Sequence, residues 1–133
     1  MKFLLDTNIV SYWMRGDKKI LRRLKLEKPC DLFISTVTLA EILYGIAKSP
    51  VKKKERRKKI ETICSQLELF PFDRKAAEQY AAIRTGLEKK GIPIGERDMQ
   101  IASIALANDL GVVTHNVKEF ERIPGLELRD WAD

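Results

Sequence analysis

The chain has 133 residues, 44% of them hydrophobic, the size and apolar content of one domain with its own core, expected over residues 1–133. No apolar run approaches the ~20 residues that cross a bilayer, and the N-terminus passes from one Lys straight into an apolar stretch, so neither a membrane span nor a signal peptide is expected. Cys30 and Cys64 lie far apart without metal-ligand spacing, and the single His115 excludes the common zinc sites, which leaves two reduced thiols in a cytoplasmic protein.

Along the chain, short apolar runs alternate with longer helical patterns. That alternation predicts an α/β fold with a mostly parallel sheet. The expected strands are Phe3–Leu5, Leu32–Ser35, Leu67–Phe70, Val112–Thr114 and Leu126–Leu128. The stretch from Ile9 to Met14 reads as helical. Asp17 is placed to cap a second helix, with Ile20, Leu21 and Leu24 on one face. A third runs from near Thr38 toward Ala47. The next carries Ile60, Ile63 and Leu67. Asp73 starts a further helix, with Ala77, Tyr80, Ala81 and Leu87 facing inward, and Gly91 ends it. The last long helix runs from near Asp98 to about Asn108, with Ile101, Ala102, Ala105 and Leu106 buried. Gly111 then releases the chain into a strand.

The formal charge of +6 is unevenly placed. Lys48, Lys52, Lys53, Lys54, Arg56, Arg57, Lys58 and Lys59 stand within twelve residues, opposed by Glu55 alone, and the rest of the chain nearly balances. A solvated helix face is the plain reading. So concentrated an excess also suits a polyanion, and nucleic acid is the expected partner.

Three acids fall at the ends of elements. Asp6 closes the first strand, Glu41 opens the helix after the second, and Asp98 opens the helix before the fourth. In an α/β sheet these ends share one rim, where ligands bind. Two of the acids have a simpler reading to weigh. Thr38-Leu39-Ala40-Glu41 has the form of a capping box. Asp98 suits a helix dipole. Asp6 has no such role on this reading, because a strand end needs no carboxylate. Three converging carboxylates repel one another, and a hard divalent cation, Mg²⁺ or Mn²⁺, resolves the conflict.

These motifs, in order, resemble the PIN-domain ribonucleases, and among them the VapC toxins of bacterial toxin–antitoxin pairs. The resemblance runs from Leu5-Asp6-Thr7-Asn8, through Ile34 to Gly45, to Pro93-Ile94-Gly95 and Asp98 to Ala102. It continues with Val113-Thr114-His115-Asn116, Glu119-Phe120, Pro124-Gly125-Leu126 and Trp131. It implies a Rossmann-like three-layer sandwich with helices on both sides of the sheet, and Mg²⁺- or Mn²⁺-dependent cleavage of RNA. Asp6, Glu41 and Asp98 fall on the family's three main acids, with Asp6 and Asp98 as metal ligands. Thr7 is placed to orient Asp6. Where related domains carry a fourth acid, this chain has Asn116, which can coordinate or hydrogen-bond without adding charge. Glu119 stands one turn further on. His115 is expected to pack or touch substrate rather than take a proton. Lys52, Lys53, Lys54, Arg56, Arg57, Lys58 and Lys59 are the expected RNA contacts.

The resemblance further implies a homodimer, a VapB-type antitoxin that covers the acids, and a complex of the two that binds DNA and regulates its own synthesis. Initiator tRNA, cut in its anticodon stem-loop, is the first substrate to consider. The alternative is a catalytically silent PIN-type module that binds RNA or assembles complexes, favoured only by the missing fourth acid. A haloacid-dehalogenase-like phosphatase needs a second Asp where Asn8 stands.

Overall fold

The computed structural model describes residues 1–131; the last two, 132 and 133, which the expected domain includes, lie outside the described residues. Five strands form one parallel sheet in the order β3-β2-β1-β4-β5. They are β1 (Phe3–Leu5), β2 (Leu32–Ser35), β3 (Glu68–Phe70), β4 (Gly111–Val113) and β5 (Leu128–Arg129). The helices are α1 (Thr7–Met14), α2 (Lys18–Lys25), α3 (Thr36–Lys48), α4 (Lys53–Gln66), α5 (Arg74–Lys90), α6 (Glu96–Ala107) and α7 (Val117–Phe120), with a short 3-10 turn at Pro29–Asp31.

Side chains of a strand alternate between its faces, and here both faces are buried. Leu4, Phe33 and Val112 pack with α5 and α6 on one side. Phe3, Leu5, Leu32, Ile34 and Val113 pack with α1 to α4 on the other. The three inner strands therefore read as unbroken apolar runs, as strands covered on both sides must. The expected three-layer arrangement is what the chain adopts.

Strand β1 sits at the centre. The chain steps from it outward to β2 and β3, then returns to the other side of β1 for β4 and β5. That reversal opens a crevice beyond the carboxyl ends of β1 and β4, the place where such sheets bind ligands. Asp6 follows β1, and Thr114, His115 and Asn116 follow β4.

The first two strands lie where the sequence predicts them. The last begins at Leu128 rather than Leu126. Gly125, at φ 78°, turns the chain in the left-handed region open to glycine, and the extra residues are used before pairing begins. Asp73 and Gly91 cap α5 as expected. Its inward face differs: Ala76, Ile83 and Leu87 are buried, Tyr80 is half-buried, and Ala77 and Ala81 are exposed. Alanine methyls fit either side of a helix, so they mark the face poorly. No described helix is long and apolar enough to cross a membrane.

Gly111 lets β4 approach β1. A Cβ there would stand 2.6 Å from Phe3 Cε1 and 3.1 Å from the Glu127 carbonyl oxygen. Gly111→Ala is expected to cost about 1–3 kcal/mol through forced repacking. Urea unfolding measures it, and an unchanged midpoint would mean that the strands can part without cost.

Candidate active site

Asp6 is 3% exposed. Its backbone N–H donates to the Val113 carbonyl at 2.9 Å, which seats it beside the end of β4. The Thr114 hydroxyl donates to Asp6 Oδ2 at 2.8 Å, and the Thr7 N–H donates to Oδ1 at 2.8 Å. Asp6 is thus the N-cap of α1, which corrects the expectation that it has no capping role. A usual cap accepts from the second or third helical residue. This one accepts from the first, and its other oxygen is held by a residue 108 positions away.

Glu41 does not belong to a capping box. The N-cap of α3 is Ser35, whose hydroxyl accepts from the Thr38 N–H at 3.0 Å. Thr38 lies fully buried within the first turn. Glu41 is one turn deeper, and its Oε1 accepts from the Thr7 hydroxyl at 2.8 Å. That hydroxyl also sits 3.0 Å from the hydroxyl of Thr38. Thr7 therefore joins two acids: its N–H holds Asp6 and its hydroxyl holds Glu41. Arg97, at the start of α6, approaches Glu41 Oε2 at 3.5 Å but is 70% exposed, so solvent weakens that pair.

Asp98 lies in the first turn of α6, which begins two residues earlier than expected, after Gly95. The Asn116 side-chain amide donates to Asp98 Oδ2 at 3.1 Å. The Asn116 N–H is in turn held by the Thr114 hydroxyl at 2.9 Å. Thr114 thus connects Asp6 to the residue that holds Asp98. Sequence reasoning missed Thr114 as a partner of Asp6; its one signal was its place at the end of a central strand, like that of Asp6.

The electrostatics show that these acids face one another. Burial pushes the Asp6 carboxyl above its usual range; the Thr114 and Thr7 bonds oppose this, and Glu41 adds repulsion. Asp98 is pushed up to about 6, first by burial, then by Asp6, Glu119 and Glu41. The Asn116 bond only partly offsets that rise. Glu119, on α7, is therefore part of the same acidic field. Among the described residues, no ion pair reaches Asp6 or Asp98. Nor do three His, Cys, Asp or Glu side chains stand close enough to form a ready-made ligand set. The pair Asp6 and Asp98, with amide and hydroxyl oxygens beside them, is an oxygen-only donor set with excess negative charge. That chemistry fits a hard divalent cation that keeps several waters.

The basic cluster is less free than its sequence suggests. The Arg56 guanidinium is half-buried and donates to the carbonyls of Gly45, Ile46 and Ser49, while its Nε is buried without a partner among the described residues. It closes the C-terminal end of α3, and those bonds compete with the RNA contact expected of it. Lys59 Nζ donates to the Met14 carbonyl at 2.9 Å, at the end of α1. Lys53 reaches the Ala47 carbonyl at 3.5 Å, and Arg57 pairs with Glu61 at 3.0 Å. Lys54 and Lys58 are exposed one turn apart. A groove of about 790 Å³ runs from Thr7 and Glu41 past Arg15 to Lys52, Arg56 and Lys59, which joins Glu41 to this positive end.

The crevice, the acids at its strand ends and the fold together define a class. The PIN domain sequence pattern matches residues 3–126, and the chain belongs to the PIN domain family. Within it, the chain is of the VapC group. It is 41% identical over 133 residues to Ribonuclease VapC2 of Rickettsia felis, covering 98% of each chain. It is 37% identical to the tRNA(fMet)-specific endonuclease VapC of Salmonella typhimurium, covering 99% of each. The crystal structure of DNA-bound VapBC from Salmonella typhimurium matches with a TM-score of 0.91 at 38% identity, covering 99% of each chain.

The shift at Asp98 has a stability consequence. An acid whose pKa is raised on folding stabilises the fold fully below its unfolded pKa and loses that contribution as pH rises through the folded one. The window runs from the usual 3.8 to about 6. In chelator, the melting temperature of the wild type should fall more steeply across that window than that of Asp98→Asn. Parallel curves would show that burial and the neighbouring acids do not raise the Asp98 carboxyl on folding.

Proposed function

We propose that this chain is a metal-dependent endoribonuclease, the toxin of a toxin–antitoxin pair. One observation carries the reading: two carboxylates, Asp6 and Asp98, are held together at the switch point of the sheet without a cationic partner among the described residues. Burying such charge without compensation is costly, and fold stability alone gives no reason for it. A bound Mg²⁺ or Mn²⁺ would supply the missing charge and act as Lewis acid toward a phosphate oxygen. Asp6 and Asp98 would hold it, with Asn116 fixing the Asp98 carboxylate.

Glu41 is the residue that takes the proton of the attacking water. Its Oε1 is engaged by Thr7, which leaves Oε2 facing only the exposed Arg97 among the described residues. Thr7 and Thr38 set its direction. Arg97, displaced from Glu41 by substrate, can follow the phosphate charge. The exposed Lys54 and Lys58, with Lys52 in the groove, supply long-range attraction for RNA.

The relatives' names support a VapB-type antitoxin as partner and tRNA(fMet) as the first substrate to test. They also support a toxin–antitoxin complex that binds DNA. Family resemblance supports a homodimer. The second reading is a silent RNA-binding module, which the uncharged Asn116 favours. Cleavage with added Mn²⁺ separates the two.

Asp6→Asn and Asp98→Asn are expected to abolish cleavage of tRNA(fMet) while each protein stays folded. Chelator should stop the wild type, and Mg²⁺ or Mn²⁺ should restore it and raise its melting temperature at neutral pH. Neither variant should show that thermal shift. Full cleavage in chelator would end the metal reading.

A second test concerns the patch. Each lost phosphate contact flattens the salt dependence of binding to single strands by roughly 0.7 log units per log of salt. Replacing Lys54 and Lys58 with Gln should therefore reduce the slope by about twice that amount, with the cleavage position unchanged. Arg56→Gln should instead lower the melting temperature. Equal slopes for wild type and the double variant would assign this face to another role.

A further inference from the structure

Helix α1 is capped by Asp6, and Asn8, Ser11, Tyr12 and the C-cap Arg15 follow at three- and four-residue spacing, the repeat of one helical stripe. These residues follow directly on Asp6 and Thr7. The Arg15 guanidinium lies over the Tyr12 ring, 5.0 Å from its centroid. The His115 ring also meets Tyr12 in a T-shaped arrangement, with centroids 6.4 Å apart and planes at 68°. His115 Nδ1 stands 3.2 Å from Asp130 Oδ2, a distance at which a protonated Nδ1 donates to the carboxylate and fixes the ring. The imidazole remains 50% exposed.

The position of this group is informative. His115 lies between Thr114, which holds Asp6, and Asn116, which holds Asp98. Arg15 also lines the groove that begins at Thr7 and Glu41. A π surface, a guanidinium plane and an imidazole thus stand together, with His115 in the segment whose neighbouring residues hold the acid pair. Tyr12 is half-buried and rests on the core, whereas the Arg15 and His115 groups are turned outward, where they add little to the fold.

We infer that Tyr12, Arg15 and His115 form a stacking platform for one unpaired nucleobase of the RNA, next to the phosphate at the acid pair. The inference rests on the ribonuclease reading and adds how a nucleotide is held in it. Aromatic rings and Arg planes are the groups on which single-stranded bases stack, with little regard to sequence. A base inside a duplex has both faces covered by its stacked neighbours, so the platform selects a loop or an unpaired end. Arg15 stacks and also offers donors to the adjoining phosphate.

The test uses a synthetic anticodon stem-loop of tRNA(fMet), with each loop base removed in turn. Binding is measured in chelator so that no cleavage occurs. Wild type should show one loop position at which loss of the base weakens binding about tenfold or more. At that position the penalty should shrink to about twofold or less in His115→Ala and in Tyr12→Leu, and persist in Tyr12→Phe. A 2-aminopurine placed there should change its fluorescence on binding wild type and not on binding His115→Ala. If Tyr12→Leu fails to fold, the exposed His115 variant still decides.

An equal abasic penalty in wild type and variants, together with intact cleavage by wild type, overturns the platform and leaves the nuclease reading standing. Absence of any cleavage of tRNA(fMet) or total RNA by wild type with Mg²⁺ or Mn²⁺ ends the nuclease reading, and the platform with it. Variants that bind RNA normally but escape a protein antitoxin would assign the surface to that partner and overturn the inference.

Discussion

One carboxylate organises this molecule. Asp6 is taken out of water at the end of the central strand and shared between the first N–H of α1 and the hydroxyl that follows β4. Neither bond neutralises it. The two bonds join the beginning of the chain to its last quarter, and the same two threonines pass the constraint onward. Thr7 reaches Glu41, and Thr114 reaches Asn116 and so Asp98. Four groups from four separate segments are thereby brought to one rim by short, directional contacts. Mutual repulsion among the acids opposes that arrangement, and the core on both faces of the sheet overcomes it.

The cations solve a different problem. Every helix ends in carbonyls without intrahelical partners. Here α1 and α3 end beside α4, and Lys59 and Arg56 answer those carbonyls. The dense charge of α4 is thus partly an adhesive between helices, and only part of it faces outward. Arg56 touches the helix that carries Glu41, so this basic residue bears on the site by holding its scaffold.

Much of this was legible in the sequence. Buried parallel strands announce themselves as apolar runs, so β1 and β2 could be placed to the residue. The acids stood out because they interrupt element ends. What stayed hidden has physical reasons. Asp6 follows a strand and caps a helix at once, and with no residue but Asp6 between the two elements the cap is invisible as a pattern. Thr38 followed by Glu41 has the form of a capping box, but Ser35 starts the helix one turn sooner. Alanines do not report which way α5 faces. The inward turn of Arg56 depends on where α3 ends in space, which no local spacing encodes.

The bond between Thr114 and Asp6 spans 108 positions of chain. A ribosome adding about 5–20 residues per second needs roughly 5–20 seconds to travel that far. During that interval Asp6 has emerged while β4, Thr114 and Asn116 do not yet exist. A growing polypeptide of this kind therefore cannot present its finished acidic rim to the RNA of the machine that makes it. The order of translation separates the synthesis of Asp6 from the assembly of the site around it.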